Sequence, residues 1–371
     1  MSSLIDYINN LKIDKTKMIE ALRSKGQTVE DNATFTDLVP IITNMETGGG
    51  EAIEITDANR LFYEGARLDA VDALINAISP NCENFNQMFM FYTGTEIPMF
   101  NCSNGKNFMQ IFASCSNITT IPQIDTSNCE KFSSAFSGCT SLITIPLLNL
   151  SKCTTIESTF SGCSKLTSIP AIDTSKIQIF ERAFYQCSKL SAIDLDLSSA
   201  TDADNMFYQC NVLTSAILRN SNLVTSFSSL FSGCGKLTTV QLNTDSATSL
   251  YSLFSGCSAL TDIPLLNCEN VTSINYAFSL CSKLTNLGGF KDLGKAYLTT
   301  RAANFNSYML DISSSSLITH DSMMNIINNV YDIATKGCNP QKIKVNSTVL
   351  GRLSEEEIAI ATNKGWTVAT S

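Results

Sequence analysis

A short motif, Phe-x-x-Cys, recurs through the middle of this chain at an almost constant interval. Successive copies lie 24, 24, 24, 23, 24, 23 and 24 residues apart. A unit of this length cannot bury its own apolar side, so stacked neighbours must supply the core. The sequence therefore predicts a repeat solenoid. The eight copies are Phe112/Cys115, Phe136/Cys139, Phe160/Cys163, Phe184/Cys187, Phe207/Cys210, Phe231/Cys234, Phe254/Cys257 and Phe278/Cys281. Two degenerate copies precede them, at Phe62 and Phe89.

The spacing of apolar residues within a unit predicts its secondary structure. The repeated Phe and Cys, with the residues four and one before the Phe, fall at i, i+3, i+4 and i+7, which predicts a short amphipathic helix. Asp-Thr-Ser at 125–127 and at 173–175 predicts helix caps, with Ser127 and Glu130, and Ser175 and Gln178, as capping boxes. Each unit should then hold one parallel strand and one short helix.

The strand is predicted from the residues that follow the cysteine. Leu or Ile stands three residues after each Cys, and a second apolar residue stands three positions later. Proline follows directly in four units and should end the extended segment, since it has no N–H to donate. These residues are Pro122, Pro146, Pro170 and Pro264.

The cysteine column allows three interpretations: a metal array, a disulfide ladder or a buried column. Metal is disfavoured because the chain has one His and no Cys-x-x-Cys. A disulfide ladder is disfavoured because each Cys would have two equivalent neighbours. We therefore expect the column residues and their phenylalanines to form the structural core, with the cysteines as thiols that act as small apolar groups, without metal or cofactor. The column cysteines are Cys115, Cys139, Cys163, Cys187, Cys210, Cys234, Cys257 and Cys281.

Catalysis is not predicted. His320 stands beside Asp321, but no nucleophile accompanies the pair, and Thr319 or Asp321 would cap a following helix. The residues after the strand Leu are instead rich in hydroxyls and form a weak candidate for a ligand face. Threonine also suits parallel strands, so a purely structural role remains the alternative. The candidate residues are Thr119, Thr144, Thr167, Thr214, Thr238 and Thr261.

The charge of the chain restricts its partners. A net charge of −9 and a pI near 4.8 oppose broad attraction to nucleic acid or anionic lipid. The N-terminal residues show no basic stretch followed by an apolar one, and no run approaches the roughly 18 to 20 apolar residues that span a bilayer. We expect neither Sec-dependent export nor membrane insertion.

Three segments carry a family resemblance: SAFSGCTSLITIPLL at 134–148, STFSGCSKLTSIPAIDTS at 158–175 and SLFSGCSALTDIPLLN at 252–267. They resemble the BspA-type leucine-rich repeat, over roughly residues 60–290. Residues 317–329 and 353–368 look like a C-terminal segment found on such repeats in gut bacteria and their phages, which implies a cap. Residues 15–42 are similar to a small module near the N-termini of phage tail and fibre proteins.

The resemblance implies four regions. These are an N-terminal attachment module (1–47), a Gly-rich hinge (48–52), a leucine-rich-repeat solenoid (53–290) and a C-terminal repeat or cap segment (291–371).

The resemblance also implies a structural or adhesion protein of a phage particle, assembled in the host cytoplasm. It would be a tail- or capsid-attached fibre or decoration protein that contacts other virion proteins through its N-terminal module. Its repeats could bind a bacterial surface glycan or protein. The alternative is a bacterial BspA-like surface adhesin, and a glycan-acting enzyme is a third. Self-association remains open.

Overall fold

A computed structural model describes residues 55–62, 78–298 and 309–370, together with positions 19, 23, 28–30, 75 and 76. The chain divides into two compact units, Met1–Ile172 and Asp173–Ser371. The predicted attachment module and hinge lie outside the described residues, apart from those isolated positions. The repeats themselves show the predicted leucine-rich-repeat architecture, in which neighbouring units pair through parallel strands and bridges.

The strands of the second compact unit, Asp173–Ser371, are short, and all of their pairings are parallel. β1, β2 and β3 form one sheet, β4 pairs with β6, β5 pairs with β7, and β8 to β10 form a sheet in the order β10-β9-β8. The bounds are Ala192–Asp196 (β1), Ser215–Arg219 (β2), Thr239–Gln241 (β3), Asp262–Ile263 (β4), Leu266–Asn267 (β5), Asn286–Leu287 (β6), Phe290–Lys291 (β7), Met309–Asp311 (β8), Gln341–Lys344 (β9) and Trp366–Ala369 (β10).

Proline controls where the strands form. β1 and β2 are five residues long, in units where Asp194 and Ile217 occupy the proline position. Pro264 instead separates β4 from β5, and pairing resumes two residues later. The units with Pro122, Pro146 and Pro170 have no assigned strand among the described residues. Each proline removes one ladder donor at its own position, because it has no N–H.

The predicted helix in each unit is wrong. Residues 78–298 contain no α-helix, and the Phe-x-x-Cys segment is a run of overlapping turns. In the segment that ends at Cys234, Leu230 N donates to Phe227 O, and Cys234 N donates to Phe231 O at 3.0 Å. Ser229 N and Phe231 N, on either side of Leu230, donate instead to Tyr251 O and Leu253 O of the next repeat. Alternate N–H groups thus bond between units, whereas a helix would keep them all within its own segment.

Two residues of each such segment adopt a left-handed conformation. In the same unit, Ser229 has φ 55° and Gly233 has φ 82°, each as the third residue of a turn. The predicted caps change accordingly: Asp125 accepts from Ser127 N at 2.9 Å, and Asp173 accepts from Ser175 N at 3.0 Å. These bonds close local turns, and no helix begins there.

The core is a column of stacked rings. Ring centroids of Phe89, Phe112, Phe136 and Phe160 follow one another at 5.6, 5.4 and 5.5 Å in the first unit. In the second unit, the rings from Phe184 through Phe207, Phe231 and Phe254 to Phe278 are spaced at 5.5, 5.6, 5.7 and 6.0 Å. All are at most 1% exposed. The buried positions match the i, i+3, i+4, i+7 spacing, although the backbone is not helical.

Residues 309–370 have a different construction, with helices between the parallel strands β8, β9 and β10. The helices are His320–Asn329 (α1), Ser347–Leu350 (α2) and Glu355–Asn363 (α3). Ser354 and Glu357 form a capping box at the start of α3. The indole of Trp366 is fully buried and donates to Tyr331 O at 2.8 Å.

Candidate functional site

The six threonines of the candidate ligand face lie on the surface. Five are exposed, and Thr261 is half-buried. They do not form one row, because Thr144 lies one residue further along its unit than the others. Ile143 occupies the row position there, and its side chain is 42% exposed. The face is therefore polar, but Ile143 interrupts it in the first compact unit.

The hydroxyls of Thr214 and Thr238 bond to the backbone of the preceding repeat. Thr214 Oγ1 donates to Ser191 O at 3.0 Å, and Thr238 Oγ1 donates to Thr214 O at 3.1 Å. Thr238 N donates to the same Thr214 carbonyl at 3.0 Å. Thr285 Oγ1 repeats the pattern onto Thr261 O. Since their hydroxyl protons are already used, Thr214 and Thr238 can offer a ligand only acceptor lone pairs. This bonding favours the structural role of the threonines.

Next to this row, two polar side chains bond across consecutive strands. Asp262 in β4 aligns with Asn286 in β6, and Asn286 Nδ2 donates to Asp262 Oδ1 at 2.6 Å. Asn286 lies outside the set of residues predicted from the sequence. Its signal was available: both residues stand two positions after the strand Leu, directly before a buried apolar residue. The predicted set contained only threonines, so it omitted Asn286.

The cysteine column lies in the interior of the repeats, and every one of its eight residues is buried. Cys187 begins the part of the column that belongs to the second compact unit. It is 0% exposed, and its backbone N donates to Phe184 O at 3.1 Å. This bond closes a turn that corresponds to the one closed by Cys234 N and Phe231 O in its own repeat. The first unit holds Cys115, Cys139 and Cys163, and the second holds Cys187, Cys210, Cys234, Cys257 and Cys281.

The column thiols also form hydrogen bonds, so the expectation that they act only as small apolar groups needs correction. Cys139 Sγ lies 3.0 Å from Phe112 O, and Cys234 Sγ lies 3.1 Å from Phe207 O, so each of these thiols donates to the Phe carbonyl of the preceding repeat. The sequence could not predict this, because the contact depends on the distance between repeats.

The same surroundings make the column thiols unreactive. Burial raises the pKa of Cys234 to about 12. Burial also raises the pKa of Cys210 well above its ordinary value, and a hydrogen bond from the Cys187 backbone offsets only part of that rise. Thiols held in this state at neutral pH are poor nucleophiles.

Cysteines outside the column are also thiols. Cys129 and Cys153 approach each other, with 3.3 Å between their Sγ atoms, and Cys153 Sγ lies 3.1 Å from Cys129 O. Both are fully buried. Cys338 is half-buried and is the most accessible of the fourteen.

His320 lies at the start of α1, where Thr319 provides the cap by accepting from Ser322 N. The imidazole contacts Glu357 Oε1 at 2.7 Å through Nε2 and Asp321 Oδ1 at 3.3 Å through Nδ1. These carboxylates, Glu357 first, raise the pKa of His320. The contacts describe an exposed ion pair between α1 and α3.

Neither a metal site nor a membrane-spanning helix is found among the described residues. No three His, Cys, Asp or Glu side chains in these ranges come together in a way that could hold a metal ion. Across the same residues, no helix has both the length and the apolar character needed to cross a membrane.

Comparison with known proteins identifies the repeats. The profile of the BspA-type leucine-rich repeat region matches residues 88–211 and 154–285, in six copies. No curated protein matches the sequence. Among solved structures, the chain is similar to a leucine-rich repeat protein from T. pallidum, with 20% identity, 45% of this chain and 75% of that chain covered, and a TM-score of 0.32.

A leucine-rich repeat protein from Bacteroides ovatus is 17% identical over 63% of this chain and 71% of its own length, with a TM-score of 0.34. A leucine-rich cell surface protein from Faecalibacterium prausnitzii is 14% identical over 70% and 89%, with a TM-score of 0.18. The two profile matches together span residues 88–285, which is more than half of the sequence. The chain therefore belongs to the family of proteins with BspA-type leucine-rich repeats.

Proposed function

We propose that this chain is a non-enzymatic binding protein that presents the exposed face of its repeats to a macromolecular ligand. The observation that carries this proposal is the contrast between the two sides of each repeat. All eight column thiols and their phenylalanines are buried, while the strand face is polar, exposed and fixed by hydrogen bonds between repeats. A rigid surface of this kind suits recognition, because little side-chain freedom is lost on binding.

Within this function we propose a role in a phage particle, as a tail- or capsid-attached fibre or decoration protein. The support is the resemblance of residues 15–42 to a module of phage tail and fibre proteins. Other virion proteins would be the partners of that module, and a bacterial surface glycan or protein the partner of the repeats. The BspA-type repeats fit a bacterial surface adhesin equally well, so this remains the second candidate.

Purified particles and intact bacteria distinguish the two candidates. Mass spectrometry of density-purified phage particles should detect this chain at a fixed ratio to the known structural proteins. Recovery from infected-cell lysate alone would contradict the virion role. Surface biotinylation of a bacterial strain that carries the gene without a prophage provides the opposite test, because labelling there supports the adhesin.

We further propose that residues 309–370 cap the last repeat. Thr319 N donates to Thr285 O at 3.0 Å, Leu287 N donates to Ser322 Oγ at 3.0 Å, and Asp292 N donates to Asn329 O at 2.9 Å. These bonds use backbone groups that a following unit would otherwise take, and a solenoid needs a different structure at that end. The attachment of the cap to β6 also brings α1 close to the strand face.

A further inference from the structure

A groove of about 680 Å³ lies where the strand face of the last repeats meets the first half of α1. One wall is formed by Thr239 of β3, Asp262 of β4 and Asn286 of β6, and the other by Asp321 and Asn325 of α1. Its volume falls within the range of about 300–1,000 Å³ that is typical of ligand pockets. The groove is therefore large enough for a small ligand or for one segment of a polymer.

The floor of the groove is formed by the strand backbone and the exposed ring of Pro264. Ile263 and Leu287 are 4% and 1% exposed, so their side chains belong mainly to the core. Pro264 and Gly288 continue the floor, and a Cβ atom at Gly288 would lie 2.4 Å from Leu265 N. The absence of a side chain at Gly288 thus lets two neighbouring strands approach closely beneath the groove.

The polar groups of the strand wall are held in place before any ligand binds. Asp262 accepts hydrogen bonds from Thr261 Oγ1 and, at 2.6 Å, from Asn286 Nδ2. These two bonds, that of Thr261 first, lower the pKa of Asp262, so the group is a carboxylate at neutral pH. The second proton of the Asn286 amide and the amide oxygen remain available to a ligand, as do the remaining lone pairs of Asp262.

The α1 wall is joined to the same strands. Ser322 Oγ donates to Thr285 O at 3.0 Å and accepts from Leu287 N, and Asn325 Nδ2 donates to Leu287 O at 3.3 Å. Asp321 precedes Ser322, and its side chain is 97% exposed. Both walls are thus fixed to β6, which keeps the distance between them constant.

The chemistry of the lining selects a class of ligand. Among the described residues that line the groove, none is Lys, Arg or His, and two are Asp, so an anionic ligand would be repelled. A cation would need only acceptors, yet the lining also presents the amide donors of Asn286 and Asn325. A hydroxyl group both donates and accepts, and therefore matches a carboxylate beside an amide. The exposed ring of Pro264 in the floor suits the C–H face of a sugar ring.

We propose that this groove binds a neutral carbohydrate, held through hydroxyl groups by Asp262, Asn286 and the exposed side chains of α1. This inference rests on the proposed binding function and adds the class of ligand and the place where it binds.

The test is saturation-transfer NMR followed by calorimetry on the full chain. The probes are maltotetraose, cellotetraose, xylotetraose and mannotetraose. At least one should bind with a millimolar or lower Kd, and Asp262→Ala should weaken that binding about tenfold or more, because a charge-assisted hydrogen bond is lost. Asp321→Ala offers a second variant, because the Asp321 side chain is 97% exposed and its loss removes one exposed contact with His320.

Asp245→Ala is the matched control. The Asp245 carboxylate also accepts from two asparagine amides, those of Asn267 and Asn243, each at 3.0 Å, but it lies outside the groove. Its removal should change binding less than about twofold. Circular dichroism of all three variants should show that each is folded.

Three results would overturn the inference. These are failure of every oligosaccharide to bind, equal weakening in Asp262→Ala and Asp245→Ala, and groove binding of Ca²⁺ or of a lysine-rich peptide in preference to sugars. Attachment of the full chain to phage particles or to bacterial cells is measured in parallel. If the wild-type chain attaches to bacterial cells and the groove variants attach to them equally, the proposed function stands and the carbohydrate groove fails. If the wild-type chain attaches to neither, the proposed function itself fails.

Discussion

The strongest test of the ring column is the substitution Phe207→Ala. The Phe207 ring is fully buried between Phe184 and Phe231, with centroid distances of 5.5 and 5.6 Å. Replacing it by Ala removes one layer of the column and both of these aromatic contacts. The free energy of unfolding should fall by an amount set by how far the neighbouring layers can close the gap.

The neighbouring layers cannot close it easily. Phe207 N donates to Leu230 O at 2.9 Å, and Phe207 O accepts from Cys234 Sγ at 3.1 Å, so the backbone keeps its spacing after the ring is removed. Phe-to-Ala substitutions in cores cost about 3–5 kcal/mol, with the largest losses where the cavity persists. The two stacked contacts, worth about 0.5–1.5 kcal/mol each, place the expected loss in the upper part of that range. We therefore expect a loss of about 4–5 kcal/mol.

Urea titration measures this loss. Far-UV circular dichroism follows the whole chain, and the fluorescence of Trp366, the only tryptophan, follows the C-terminal segment. Lys236→Ala is the control, because Lys236 is exposed in a neighbouring repeat, and it should change stability by less than about 0.5 kcal/mol. Similar shifts for the two variants would refute the assignment of the column to the core.

Two further predictions concern the last repeats and the C-terminal segment. Glu357 and Asp321 raise the pKa of His320, so this ion pair stabilises the fold below the ordinary His pKa, and its contribution is lost as the pH rises through the raised value. NMR titration of this single histidine should give a midpoint above 6.5. The midpoint should fall in Glu357→Gln, a substitution that preserves the capping box. An unchanged midpoint in this variant would contradict the pairing of His320 with Glu357. Gly288→Ala should cost at least about 2 kcal/mol in a urea titration, because its Cβ would lie 2.4 Å from Leu265 N and 2.8 Å from Pro264 C. Gly351→Ala, where the nearest atom is 3.5 Å away, should be neutral or stabilising, and equal losses at the two glycines would argue against close strand approach at Gly288.

The sequence predicted the stacking of the repeats but not the path of their backbone. Apolar periodicity records which side chains face inward, and Phe227, Leu230, Phe231 and Cys234 do so. It does not record where the N–H groups donate. Overlapping turns place the same residues inside, while every second N–H bonds to the next repeat. A glycine before the cysteine, as at Gly233, was the available signal, because glycine is unfavourable inside a helix and favoured at a left-handed turn position.

The candidate site was predicted in part for a similar reason. Repetition identifies the strand face, since Thr214 and Thr238 recur at one position of consecutive repeats. The destination of their hydroxyl protons depends on the distance between repeats, which the sequence does not give. The groove beside α1 depends on the docking of residues more than 30 positions apart, such as Ser322 and Leu287. Such a contact leaves no periodic signal in the chain.

Cysteine alkylation tests the central claim, that stacked repeats enclose a column of reduced thiols. Desolvation raises the pKa of Cys163 and of Cys281 to about 12, so little thiolate is present at neutral pH. In native protein without reductant, Cys338 should label within minutes and the buried cysteines, Cys187 among them, only slowly, whereas all fourteen should label after denaturation. Rapid native labelling of the column would contradict the buried core. Protection that persists in denaturant until a reductant is added would show that the column cysteines are paired in disulfides.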